Sequence, residues 1–193
     1  AARWSAARDA CAEAFGEAEG ARLVAADDLK ELAKRALKVD RLVAPLHPSA
    51  DADAVKEALS DDETARPFWT ALFELLSVPS PGRARFEKLF AAARDLPVEP
   101  AQQWVVATLF PFLASTERHV LLRPKLTCEA AARLGCDLGD TATPNWGTYA
   151  ALRALSIQLL AKLGPNGAKD HVDVEVFLHV TATAKRRLDR SAR

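Results

Sequence analysis

The sequence predicts an all-α fold, either one compact multi-helix domain or two helical subdomains, and three observations carry that expectation. First, 39 of the 193 residues are alanine, the best helix former, about 1 kcal/mol better than glycine inside a helix. Second, the apolar residues recur at helical spacing between proline and glycine breakers. Third, only one tyrosine and eight glycines accompany them, poor material for the strands and turns of a sandwich or barrel. Hydrophobic residues make up 49% of the chain, with enough Leu, Val, Phe and Trp to drive collapse, so disorder is disfavoured.

Ala2 to Phe15 reads as an amphipathic helix closed by Gly16 or Gly20. Leu23 to Val39 reads as a second, with Asp27 and Asp28 in its first turn and Lys34, Arg35 and Lys38 in its last, matching the helix dipole. Arg41 to Ser49 contains Pro45 and Pro48 and is expected to be a loop. Ser49 or Asp51 is expected to cap a short helix through Leu59, and Asp61 or Asp62 the next, Glu63 to Ser77, because a short side-chain oxygen satisfies a free N–H of the first turn. Val78-Pro-Ser-Pro-Gly82 is the strongest breaker and a candidate boundary between subdomains of residues 1–78 and 83–193.

Arg83 to Asp95 is expected to be helical and is followed by Pro97 and Pro100. Ala101 to Leu113 is the most apolar stretch and predicts a central buried helix, with Pro111 kinking or ending it. After an irregular Ser115 to Lys125, Thr127 is expected to cap a helix that Gly135 ends, and Asn145 a long one from Trp146 to Leu163, closed by the Gly164–Gly167 turn. Alternating apolar residues from Val172 to Val180 have the period of a strand. A lone strand has no partner in a helical chain, so a helix from Val174 to Leu188, capped by Asp173, is preferred. The expected core is Leu72, Phe73, Leu76, Phe86, Phe90, Trp104, Val105, Leu109, Phe112, Leu152 and Leu155.

The charges balance at 26 basic and 26 acidic side chains, so no global field steers the protein to nucleic acid or anionic membrane. The balance is uneven along the chain. Residues 1–65 hold 9 basic and 14 acidic side chains, and residues 66–193 hold 17 and 12. An anionic partner would meet the second part first. Cys11, Cys128 and Cys136 are odd in number and fit no disulfide framework, which predicts free thiols in a reducing cytoplasm. The longest uncharged apolar run, Trp104 to Ala114, is 11 residues, short of the roughly 20 that span a bilayer. No membrane partner is expected. The chain starts at Ala1 and has no methionine, which predicts a processed start or a piece of a longer protein.

Four constellations invite chemistry. Arg118, His119, Arg123 and Lys125 precede an expected helix start, where free N–H groups favour anions. A phosphate group or nucleic-acid backbone is the natural ligand, and a solvated loop paired with Glu117 and Glu129 is the ordinary alternative. Trp146 and Tyr149 share a helix face, to stack a base or to pack the core. His171, Glu175 and His179 recur every four residues, with Asp173 among them; two histidines and a carboxylate can ligate a divalent metal, although a polar helix face is the simpler reading. The tail from Lys185 to Arg193 is basic and suits either phosphate or a helix C-terminus. No P-loop, dinucleotide fingerprint or nucleophile motif is present, so no cofactor is expected.

Trp104-Val-Val-Ala-Thr-Leu-Phe-Pro-Phe-Leu113, Arg118-His-Val-Leu-Leu-Arg-Pro-Lys-Leu-Thr127, Pro144-Asn-Trp-Gly-Thr-Tyr149 and Gly167 to His179 stand in order along the second half. These blocks, with Arg41 to Leu76, resemble a family of uncharacterised bacterial proteins. That resemblance implies relatives and no activity. The rhythm of the same blocks is also similar, more weakly, to helix-hairpin-helix DNA glycosylases, which would imply an enzyme acting on DNA or nucleotides. The glycine-rich hairpin of those enzymes is not found here. The residues themselves favour a non-enzymatic module that binds an anionic partner, with nucleic acid the natural candidate. A glycosylase-like enzyme and a protein–protein interaction domain are the alternatives.

Overall fold

The apolar stripes and caps resolve, in a computed structural model describing residues 2–16, 19–43 and 53–184, into ten α-helices and no strand among the described residues. They are α1 (Ala2–Phe15), α2 (Glu19–Ala25), α3 (Leu29–Val43), α4 (Ala54–Ala58), α5 (Asp62–Leu76), α6 (Arg83–Arg94), α7 (Pro100–Ala114), α8 (Pro124–Arg133), α9 (Trp146–Leu163) and α10 (His171–Thr183). The all-α expectation holds.

Several boundaries differ from the sequence reading, each for a local reason. The expected helix from Leu23 to Val39 is two helices. Asp27 takes the left-handed conformation, with φ 60°, which breaks the chain before α3, and the Asp28 carboxylate accepts from the Glu31 N–H (3.2 Å) to start the new helix. α3 then runs on to Val43, past the expected stop at Val39. Asp53 precedes α4 without a side-chain cap bond; Ser49 and Asp51, the expected caps, lie outside the described residues, as does most of the expected Arg41–Ser49 loop. Asp61 and Asn145 cap as expected, accepting from Thr64 and Thr148 N–H respectively, both at 2.9 Å.

Pro111 neither ends α7 nor stands at its edge: the helix continues to Ala114. α8 begins at Pro124, so Thr127 sits inside the helix and not at its cap. Its hydroxyl turns back to accept from the Arg123 N–H (3.1 Å). α10 begins at His171, earlier than the expected Val174. The cap is Asp170 and not Asp173: its carboxylate accepts from Val172 N–H at 2.9 Å. The expected end of α10 at Leu188 and the basic tail lie outside the described residues.

α7 is the axis of the core. Every residue from Gln103 to Leu113 is buried, with α1, α4, α5, α6 and α8 packed around it. One continuous hydrophobic cluster runs from Trp4 to Leu178, and the Val78–Gly82 turn joins two helices, α5 and α6, that pack against each other. All the expected core residues are buried except Leu76, which is half-buried. Within the cluster Phe15, Trp69, Phe73 and Phe110 form one aromatic group with centroids about 6 Å apart, Trp69 and Phe73 stacked. Gly20 is required there: a Cβ at that position would overlap the Phe73 ring. A second group joins Phe86, Phe90, Trp104, Trp146 and Tyr149. No helix among the described residues is long and apolar enough to cross a membrane.

Candidate functional site

The four expected anion-binding residues fall into two environments. Arg118 and Lys125 are exposed, whereas His119 and Arg123 are buried. The cause is the extended segment between α7 and α8, which lays Val120, Leu121 and Leu122 into the core and carries the flanking polar residues inward with them. Arg123, next to the first residue of α8, is only 3% exposed and forms an ion pair with Glu175 of α10, itself 4% exposed. Burial pushes the Glu175 carboxyl above its ordinary range and Arg123 draws it back. This cation is committed to a carboxylate inside the protein. It does not share a surface with Arg118 and Lys125.

Trp146 and Tyr149 do share a face, with centroids 6.1 Å apart, but that face is turned inward. Tyr149 is fully buried and lies 4.6 Å from Phe86, centroid to centroid. Its hydroxyl meets His119 Nδ1 (3.4 Å) and accepts a long contact from Val120 N–H (3.5 Å), and burial raises its pKa. Tyr149 is therefore a core residue with a polar tip. Trp146 is half-buried over Phe86.

His171, Glu175 and His179 are dispersed in role. His171 Nδ1 pairs with the Ser156 hydroxyl at 2.8 Å, Glu175 holds Arg123, and His179 is exposed. Asp173 accepts from the Lys169 N–H (2.7 Å). Among the described residues no group of three or more His, Cys, Asp or Glu is placed to hold a metal. α10 does align 171, 175 and 179, but its neighbours differ along its length: His171 meets Ser156 of α9, Glu175 meets Arg123, and His179 faces solvent.

The residues that do open to solvent meet at a cleft of about 720 Å³ between α1, the end of α5 and the 115–119 turn. That volume lies within the roughly 300–1,000 Å³ of ordinary ligand sites. Arg8 enters from α1, Arg118 and Glu117 from the turn, and His119 forms part of the wall. Burial, then the neighbouring charges of Arg153 and Arg118, lower His119 to about 4, so near neutral pH it is an uncharged donor or acceptor. Arg153 of α9 is exposed and donates from Nε to the Arg118 carbonyl (3.1 Å), while Arg118 donates to the Pro79 carbonyl. Arg8 reaches Asp170 at 3.5 Å, and Asp170 also accepts from the Thr116 hydroxyl at 2.7 Å.

Sequence reasoning found Arg118 and His119 of this cleft and missed Arg8, as it missed Arg153, which bonds the Arg118 carbonyl from outside the lining. Arg8 stands 162 residues from Asp170, and no local pattern connects them. Lys125 is not among the residues lining the cleft. Compared with protein-family models, curated proteins and solved structures, the chain matches none; neither the bacterial family nor the DNA glycosylases gain support from that side.

Proposed function

We propose that this protein is a non-enzymatic binding module for an anionic partner, engaged at the cleft beside Arg118. The supporting observation is the meeting of Arg8 and Arg118, from distant parts of the chain, at a concave surface whose wall holds a neutral histidine, with Arg153 beside them on the Arg118 carbonyl. A phosphate group suits this arrangement because guanidinium groups donate in pairs to its oxygens. Asp9 and Glu117, also lining the cleft, favour a ligand that presents one concentrated anionic group over one with diffuse negative charge. Nucleic acid is the partner class that offers such groups in series.

Fluorescence anisotropy with labelled short single-stranded and duplex DNA, competed by inorganic pyrophosphate, tests the reading. DNA binding should weaken steeply between about 50 and 200 mM salt. Arg118→Ala and Arg153→Ala should each weaken it several-fold, and Lys125→Ala should leave it unchanged. Displacement by pyrophosphate alone, without DNA binding, would move the ligand to small phosphates. Failure of both probes, or binding that survives the Arg118→Ala/Arg153→Ala double substitution, would overturn the cleft as the site.

A further inference from the structure

A second, unrelated surface lies on the acidic part of the chain. Between α3 and the α4–α5 corner runs a groove of about 610 Å³. The half-buried Ala33 and Leu37 give it an apolar lining, with the buried Leu59 beneath. Lys30, Lys34, Arg41 and Lys56 stand along it, all exposed. On α3 these cations fall at residues 30, 34 and 41, spaced so that one side of the helix carries them. At one end the groove meets Asp61 and Asp62.

The exposed cations of the described residues divide into paired and unpaired ones. Elsewhere on the surface Arg22, Arg66, Arg83, Lys88 and Arg133 each hold a carboxylate. Lys34 bonds Glu31 at 3.1 Å, but Lys30, Arg41 and Lys56 form no ion pair among the described residues. A row of unneutralised cations beside an apolar lining complements a ligand with carboxylates on one side and aliphatic groups on the other. Nucleic acid fits less well: no aromatic side chain lines the groove to stack a base.

We propose that this groove docks a second protein through an acidic amphipathic helix, its Leu-type side chains over Ala33 and Leu37 and its carboxylates against Lys30, Arg41 and Lys56. Helix-in-groove recognition of this kind reads anchors at i, i+3, i+4 and i+7. The site is independent of the arginine cleft on α1 and the 115–119 turn.

The probe is a labelled peptide of Leu and Glu with leucines at helical spacing, titrated by anisotropy against the full chain. It should bind, and a scramble that breaks the leucine stripe should bind about tenfold or more weakly. Arg41→Glu with Lys56→Glu should reduce binding about tenfold or more, with unchanged circular dichroism, because both side chains are exposed. Arg118→Ala should bind the peptide normally. Three results would overturn the proposal. They are equal binding of the scramble, displacement of the peptide by short single-stranded DNA at the same or lower concentration, and peptide binding that appears only after residues 44–52 are replaced by a Gly/Ser linker. In the last case the chain's own segment between α3 and α4 is the occupant.

Discussion

The aromatic group around Trp69 and the junction around Arg123 are both buried, yet opposite forces hold them. Phe15, Trp69, Phe73 and Phe110 meet ring to ring, and their stabilisation is removal of apolar area from water together with shape. Even the Trp69 indole N–H is buried there with no hydrogen-bond acceptor among the described residues. Where the 116–123 segment meets α9 and α10 the interior instead holds Arg123, Glu175, His119 and His171, and matched partners offset the cost of removing charge and polarity from water. The first region should tolerate apolar substitutions that keep volume. The second tolerates only changes that keep the pairing or remove both members.

The largest test of that contrast is Arg123→Ala, which strands the Glu175 carboxylate in the interior. A loss of about 3–5 kcal/mol is expected in urea unfolding. Replacing both members, Arg123→Met with Glu175→Leu, should recover most of that loss, because no uncompensated charge remains. If the double variant is as unstable as the single one, the pair is held for its shape and the contrast fails.

Acid should act on the polar junction in particular. His119 titrates at about 4 in the folded protein against an ordinary 6.5, lowered by burial and then by Arg153 and Arg118. Unfolded chain therefore binds a proton that folded chain refuses between those values. Its contribution to stability is complete above about pH 6.5 and is lost as pH falls toward 4, by roughly 2–3 kcal/mol. His171 shifts in the same direction and adds to the slope. Unfolding of His119→Gln measured at the two ends of this range should show a shallower pH dependence than the parent chain. An unchanged slope would assign the acid sensitivity to other groups.

The smallest effect separates two tryptophans. Trp104 donates from Nε1 to the Thr141 carbonyl at 3.0 Å, whereas Trp69 has no such acceptor. Trp104→Phe should cost about 1 kcal/mol more than Trp69→Phe in denaturant midpoint analysis. Equal costs would mean that area alone governs both sites.

Helix content, the Asp61 and Asn145 caps, the buried α7 and nearly all the core residues follow from local chemistry: spacing, capping oxygens and apolar runs act over a few residues and are written in order along the chain. The α2–α3 break escaped that reading because Asp27 is one residue in an unusual conformation inside a well-patterned helix. The start of α8 was misplaced because Pro124 and Thr127 both suit a helix N-terminus and only their packing distinguishes them.

The candidate site was half legible. Arg118 and His119 were visible as polar residues at a helix approach. Arg123 looked equivalent to them in sequence, and only the position of Glu175, 52 residues away, turns it inward. Likewise Arg8 and Arg153 acquire meaning only when α1 and α9 come to the 115–119 turn. Helix, cap and core are decided by interactions within a turn or two, which the sequence carries by itself. Whether a cation faces water or a buried carboxylate is decided by desolvation and charge matching between distant segments, and that exists only once the tertiary structure has brought them together.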